Sequence, residues 1–382
     1  MPASTRVVIL RGVAVGTAAG AAALSLRALA RPLPAGERTL IDWETVGAIA
    51  KARTSETGPQ GVPDADRLAA AYDAMAGELA PLMSEVVQAR VAGYPHFTVL
   101  DRRDFIDVNL GMAQRLLQPL ERVRSQLPES RATAMGRTVM SRYVGELFGF
   151  LSKRVLGQYD PVLMLAPVVE ERAGTSLMLV EPNVASFERR QSLPGASLRR
   201  WLVLHELTHA WQFETHPWLH EYIASLLREL LGGEFVSNMA TTLEQGGQRA
   251  GGSSSTVLLR GMLPAVRGQL RAVGRVQAVM SVAEGYGNFV MHRVGQAHIP
   301  DFERLERGFH ERAAQRSLLE QLVLAVTGLS MKMRQYELGE HFAESVAGQG
   351  GLQLLNRVWD GPDSIPTLAE LREPDLWIGR MG

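Results

Sequence analysis

The 382-residue chain contains no cysteine. This absence excludes disulfides, thiolate nucleophiles, iron–sulfur clusters and cysteine-ligated zinc sites, so a bound metal must be held by His, Asp, Glu or water. An excess of one charge is also missing, because 40 basic residues balance 40 acidic ones. Proteins that bind nucleic acid in general carry a basic excess or a basic stripe. The composition therefore argues against a nucleic-acid partner.

The N-terminus holds an ambiguous targeting signal. Arg6 and Arg11 precede an uncharged run at residues 12–26, and Ala-Leu-Ala at 28–30 has the form of a signal cleavage site. Fifteen uncharged residues are short for a membrane-spanning helix and suit a signal segment. Residues 1–35 are therefore predicted to be signal-like or membrane-anchor-like, with an Ala/Gly-rich helix of the following domain as the alternative. This predicts an anchored or exported protein that associates with the membrane through its N-terminus, with a cytoplasmic location as the alternative.

Residues 36–382 are predicted to form a single domain, and they contain no internal repeat. Apolar residues recur at helical spacing from residue 66 to 91, and further helices fit most of the chain. Two short apolar runs, at 162–165 and 176–180, have the character of strands. Ser197 is a plausible N-cap for a helix that Pro217 should end. The predicted fold is α+β and mainly helical, zincin-like, with a small sheet preceding that helix.

The predicted helix contains the sequence His-Glu-Leu-Thr-His at 205–209, which matches the metalloprotease signature H-E-x-x-H. Positions four apart lie on one face of a helix, so His205 and His209 can bind the same zinc ion and leave room for a third ligand and a water. Glu206 would then act as the general base on a water whose pKa the zinc lowers. A coincidental exposed helix, or a pair of structural histidines, is the alternative.

A third metal ligand must come from elsewhere in the chain. The metzincin pattern would need Gly at 212 and His at 215, where Gln212 and Thr215 stand. His216 and His220 are close in sequence, but Pro217 separates His220 from the predicted helix. They stay open as alternative ligands.

Glu284 is the favoured third ligand. It is the lone charged residue in the stretch 280–289, and a buried carboxylate needs a cation. Gly285 and Gly287 beside it weaken a helix, and such glycines often mark close packing against another element. We expect that element to be the helix of His205 and His209. Pairing of Glu284 with an arginine is the alternative.

Several short motifs follow one another from residue 41 onwards. They are IDW at 41–43, VLGQYD at 155–160, LVEPNV at 179–184, HELTHAWQF at 205–213, EG at 284–285, MRQYELG at 333–339, and 368–380 with its Pro and Trp. In content and order they resemble the zincin-like metallopeptidases, whose members are often labelled as hydrolases or as associated with deazaflavin coenzyme biosynthesis. The resemblance implies that His205, His209 and Glu284 bind Zn²⁺ and that Glu206 is catalytic.

The sequence departs from the family pattern at two positions. Many relatives carry His where Tyr286 stands, and His292 occupies a position that is often acidic. A zincin transition state needs a donor to the developing oxyanion, and Tyr286, His292 and Tyr336 are candidates for that role or for contact with the metal-ligating residues. The predicted function is a zinc-dependent hydrolase, a metallopeptidase acting on a peptide or another amide or ester. The alternative is a catalytically weak or inactive zincin-like scaffold or binding protein.

Overall fold

The computed structural model describes residues 38–54, 61–126, 129–159, 177–231, 255–314 and 330–382. Within them the chain is mainly helical and carries one small sheet, so the predicted α+β class is confirmed. The strands are β1 (Phe97–Leu100), β2 (Gly157–Tyr159) and β3 (Leu177–Val180). The helices are α1 (Trp43–Thr54), α2 (Ala65–Val87), α3 (Arg102–Gln126), α4 (Arg131–Leu151), α5 (Glu181–Gln191), α6 (Gly195–Thr215), α7 (Pro217–Leu231), α8 (Ser255–His298), α9 (Phe302–Ala314), α10 (Ser330–Asn356), α11 (Leu368–Arg372) and α12 (Pro374–Met381).

The sheet has the order β1-β3-β2, with β1 parallel and β2 antiparallel to the central strand β3. All four residues of β3 are buried, which agrees with the apolar run predicted as a strand at 176–180. The other predicted strand, at 162–165, lies outside the described residues. Strands β1 and β2 were not predicted, because three or four residues are too few to show a clear alternation of apolar and polar side chains.

Helix α6 carries the H-E-x-x-H sequence through the centre of the domain. From residue 202 to residue 213, every residue of the helix except His205 and His209 is buried, so this part of the helix is enclosed on all sides. It packs against α2, α8 and the sheet. The helix ends at Thr215, and Pro217 opens α7, as predicted. Its start differs from the prediction: α6 begins at Gly195, and Ser197 is a buried residue of its first turn rather than the cap.

Helices α8 and α10 cross at two glycines. A Cβ built on Gly285 would collide with the backbone of Gly339, and a Cβ on Gly339 would collide with the carbonyl oxygen of Ser281. The backbones can approach this closely only because both side chains are absent. The expectation that Gly285 faces the α6 helix is thus wrong, since it meets α10. Gly287 fulfils that expectation, because a Cβ there would lie 3.6 Å from Cε1 of His209.

Helices α1, α3 and α4 form a smaller packing unit beside the main core. Its buried centre includes Val46 and Ile106. Gly145 and Gly149 of α4 let α1 approach, because a Cβ at either position would press against Ile49 or Arg53. One face of α4 is therefore committed to α1.

Among the described residues, no helix combines the length and apolar character needed to cross a bilayer. The segment predicted to be signal-like or anchor-like, residues 1–35, lies outside the described residues. The prediction for that segment, the single-domain boundary drawn after it and the predicted location of the protein therefore stay predictions.

Candidate metal centre

Helix α6 places His205 and His209 one turn apart with their Nε2 atoms 3.3 Å from each other. The two rings are nearly perpendicular, at 86°. Nδ1 of His205 lies 3.1 Å from Sδ of Met291, and its ring stacks on Trp201 with centroids 5.9 Å apart. These contacts hold the ring of His205, whose Nε2 faces Nε2 of His209.

The carboxylate of Glu284 reaches the two histidines from helix α8. Its Oε2 lies 3.5 Å from Nε2 of His209, and the side chains of these two residues are 9% and 12% exposed. The ligand atoms that His205, His209 and Glu284 offer all lie within 4.8 Å of one another. The structure therefore brings together the three residues predicted to bind metal.

The spacing of these atoms suits zinc. With zinc–nitrogen distances of about 2.0–2.1 Å, neighbouring ligands of a tetrahedral site lie about 3.3–3.4 Å apart. The separations at His209, 3.3 Å to Nε2 of His205 and 3.5 Å to Oε2 of Glu284, are close to that edge length. Two imidazoles and one carboxylate are also a ligand set of catalytic zinc sites, in which the fourth position stays open.

Gln212 orients the ring of His209. Its Nε2 donates to the carbonyl oxygen of Ala283 at 2.9 Å, so its Oε1 is the atom that faces Nδ1 of His209, also at 2.9 Å. An amide oxygen can only accept, and Nδ1 must therefore carry the hydrogen. This tautomer leaves the lone pair of Nε2 directed toward Glu284. The same side chain ties α6 to the residue that precedes Glu284.

Glu206 lies on α6 between the two histidines and is 4% exposed. A Cβ built on Gly157 of β2 would lie 2.5 Å from its Oε1. The absence of a side chain at Gly157 therefore makes room for the carboxylate. The sheet is held against α6 beside this point, because the ring of Tyr159 stacks on Phe213 with centroids 5.5 Å apart.

The charge around His209 is negative. Burial alone would lower the pKa of His209, but the hydrogen bond and charge of Glu284, with the charge of Glu206, outweigh it and raise that pKa to about 8. Without a metal, a proton would thus compensate the buried carboxylates at neutral pH. A divalent cation would serve the same purpose with more charge.

The other predicted residues whose side chains the structure describes lie outside this group of three. Tyr286 is buried, its hydroxyl donates to Oδ1 of Asn356 at 2.7 Å, and its ring stacks on Trp211. Burial raises the pKa of its phenol. Tyr336 belongs to α10, and its side chain lies outside the described part of the chain. The structure does not bring the alternative ligands His216 and His220 into the group of His209.

His292 lies two turns after Glu284 on α8, among carboxylates of two other helices. Its Nε2 pairs with Glu306 of α9, and its Nδ1 lies 2.9 Å from Oε1 of Glu340 on α10. The hydrogen bond with Glu340 leads the effects that raise the pKa of His292 to about 9. The ring is therefore an imidazolium at neutral pH. Although His292, Glu340 and Glu344 are close enough to hold a cation, the ion pairs of the protonated ring account for this arrangement.

A family model described as a zincin-like metallopeptidase matches residues 41–378. The chain belongs to this family. The resemblance drawn from the motifs is thus confirmed, over almost the span it was given. A similar solved structure, a crystal structure described as that of a "putative hydrolase with a novel fold" from Chloroflexus aurantiacus, shares 31% identity, with a TM-score of 0.66. The match covers 90% of this chain and 99% of that one. No curated protein matches the chain.

Two residues of this zincin-like site escaped the sequence reasoning. Gln212 was noted only because it departs from the metzincin pattern, although a position three residues after His209 lies on the same helix face. Gly157 was part of the motif at 155–160 that carries the family resemblance, but no role followed from it. Its role depends on a strand packing against α6, which the spacing of the motifs does not show.

Proposed function

We propose that this protein is a zinc-dependent peptidase in which His205, His209 and Glu284 hold the metal and Glu206 is the general base. The two separations at Nε2 of His209, 3.3 Å to Nε2 of His205 and 3.5 Å to Oε2 of Glu284, carry the proposal, because both are close to the edge of a tetrahedral zinc site. Family membership supports it, as does the similarity to a protein described as a putative hydrolase. Peptide as the substrate, in preference to another amide or an ester, follows from the family alone.

Zinc held there would supply Lewis acidity and lower the pKa of water near it. Glu206 is buried beside the ligands, where its carboxylate can take the proton from the attacking water and pass it to the leaving amine. Gly157 leaves the space that this carboxylate occupies. Gln212 keeps the hydrogen of His209 on Nδ1, away from the metal-binding nitrogen. Each of these groups is fixed by packing, so little has to reorganise during the reaction.

The decisive experiment compares Glu206→Gln with Glu221→Gln. The control removes the same charge from an exposed position on the neighbouring helix α7. We expect wild type and both variants to bind one zinc per chain by elemental analysis, and cleavage of a peptide library to fall about 10²- to 10⁴-fold in Glu206→Gln alone. Equal cleavage by all three proteins would show that Glu206 is not the general base. The absence of bound zinc would contradict the proposed metal site.

A zincin-like scaffold without catalysis is the second candidate. The observation that favours it is the hydroxyl of Tyr286, which donates to Asn356 and so is engaged away from the metal ligands. If no other donor stabilises the oxyanion, the transition state loses about 2.7–4 kcal/mol of stabilisation per missing hydrogen bond. This candidate predicts stoichiometric zinc in the wild type with no cleavage of any peptide in the library.

A further inference from the structure

Helix α4 exposes an unusual number of large apolar side chains. Met135, Val139, Met140 and Tyr143 are 65%, 60%, 48% and 39% exposed, and only Leu376 joins them as an exposed large apolar residue in the described part of the chain. Scattered exposed apolar residues are normal, whereas a cluster on one element marks an interaction surface.

These four side chains form one stripe. At 100° per residue, they cover an arc of about 140° on the helix. Ser141, Gly145 and Gly149 are buried, and the two glycines lie on the face that packs against α1. The stripe is thus the outer face of a helix whose inner face is already occupied. We call Met135, Val139, Met140 and Tyr143 the α4 stripe.

Arginines flank the α4 stripe on both sides. Arg131 and Arg142 lie at one border and Arg137 lies beyond the other. The first acidic residue of the helix, Glu146, lies on the same face near its C-terminal end and pairs with Arg53.

The chain also enters the described domain beside this helix. The backbone N–H of Leu40 donates to Glu121 of α3, and that of Asp42 donates to Oγ of Ser141 at 2.8 Å. Residues 40–42 are therefore anchored between α3 and α4. The 37 residues that precede Arg38 include the uncharged run at 12–26, so the part of the sequence predicted to be anchor-like joins the domain beside helix α4.

We infer that the α4 stripe and its flanking arginines dock on the surface of an anionic phospholipid bilayer, with α4 lying in the membrane plane. A wide apolar arc bordered by basic residues is the pattern of helices that lie at the lipid–water interface. The arginines pair with lipid phosphates while the apolar side chains enter the boundary of the acyl chains. The surface is independent of the metal centre, so the inference does not rest on the proposed catalytic function.

The absence of cysteine makes the docking surface easy to test in the full chain. Val139→Cys and the control Glu303→Cys, at a side chain 87% exposed on α9, each carry one polarity-sensitive fluorophore. With phosphatidylcholine vesicles containing phosphatidylglycerol, we expect the probe at 139 to shift to the blue and to be quenched by brominated lipid, with neither change at 303. Replacing Arg137 and Arg142 by Gln should weaken the response at 139 roughly tenfold or more, and the matched pair Arg67→Gln and Arg307→Gln should not.

Three results would overturn the inference. A probe at 139 that stays in water while the protein floats with the vesicles would mean that the membrane contact lies elsewhere, and failure to bind any vesicle would exclude a lipid partner. A blue-shifted probe before lipid is added would mean that protein covers the stripe. In that last case, a blue shift that increases with protein concentration would mean that a second copy of the chain covers the stripe. A blue shift that does not change with concentration would mean that a segment of the same chain covers it.

Discussion

The side chain of Gln212 connects His209 to the helix that carries Glu284. Its oxygen lies 2.9 Å from Nδ1 of His209, and its nitrogen donates to the carbonyl oxygen of Ala283 at 2.9 Å. One buried amide therefore fixes the tautomer of a proposed metal ligand and also joins the two helices that carry the proposed ligands. The α6–α8 interface and the proposed metal site therefore share the side chain of Gln212.

Gln212→Met should weaken zinc binding. The substitution keeps the length of the side chain and removes both hydrogen bonds, so the ring of His209 loses its orientation; partners of this kind usually contribute 10- to 100-fold to metal affinity. Competition with a chromophoric chelator measures the effect. Gln212→Glu, which still accepts from Nδ1, should recover part of the affinity, and Gln349→Met, at an exposed position, should have none of the effect. Wild-type affinity in Gln212→Met would contradict this role.

Gly157→Ala should reduce turnover more than zinc binding. The added methyl would lie 2.5 Å from Oε1 of Glu206 and must displace that carboxylate, while the three ligands are untouched. Because a shift of about 1 Å in a catalytic group can cost about 10²-fold in rate, we expect a loss of that order with zinc affinity nearly unchanged. Gly77→Ala is the matched control, since a Cβ there meets nothing within 4 Å. Equal turnover in the two variants would show that Glu206 does not depend on this space.

Gly339→Ala should destabilise the fold. A methyl group there collides with the carbonyl oxygen of Ser281, which cannot move without shifting α8. Overpacking of this kind costs about 1–3 kcal/mol, or more where backbone is struck. Gly348→Ala on the same helix has open space and should stabilise by up to about 1 kcal/mol. Urea unfolding measures both, and similar values for the two variants would mean that the helices can separate at no cost.

The sequence predicted which side chains come together at the candidate site better than it predicted the architecture. His205 and His209 follow from helix geometry, and Glu284 was found because a carboxylate in an apolar stretch must be compensated. The expectation that a glycine near Glu284 packs against α6 holds for Gly287, which lies beside His209. It fails for Gly285, because a glycine indicates that another backbone is near without indicating which one, and here that backbone belongs to α10.

Short elements account for most of what sequence reasoning missed. Strand β1, with four residues, pairs with β3, whose first residue is 80 positions further along the chain, and local periodicity contains no information on such pairing. Proline is favoured in the first turn of a helix, yet Pro264 lies well inside α8, which begins at Ser255. Flanking residues can restore what a proline removes from a long helix, so a proline predicts a boundary only as a tendency.

His292 should stabilise the fold most at low pH. Its pKa in the folded protein is about 9, whereas the ordinary value is 6.5. The imidazolium ion pairs with Glu306 and Glu340 therefore contribute fully below about pH 6.5, and the contribution disappears as pH rises through 9. The difference in melting temperature between wild type and His292→Gln should shrink over that interval. A difference that is constant with pH would show that the ring acts by packing alone.

Zinc and protons should compete for His209. A rise in pH should therefore lower the stability of the zinc-free protein and increase the stabilisation that zinc provides. Without zinc, the pKa of His209 is about 8 against an ordinary value of 6.5, and its contribution to stability is complete below about pH 6.5 and lost as pH rises through 8. Zinc needs the neutral ring. Its affinity should therefore fall about tenfold per pH unit below the pKa of His209, and stabilisation by zinc should fall with it.

Thermal unfolding between pH 6 and 9, with zinc and after chelation, tests this competition. We expect the gain in melting temperature from zinc to increase across the interval while the chelated protein loses stability. His209→Gln should abolish the gain and leave only the shallower decline that His292 contributes over this interval, whereas His96→Gln, at a histidine whose side chain is 92% exposed, should leave both profiles as they are in the wild type. If zinc stabilised the wild type equally at every pH, His209 would not be the site at which proton and metal exchange, because a ligand with its pKa near 8 must lose its proton before it can bind the metal.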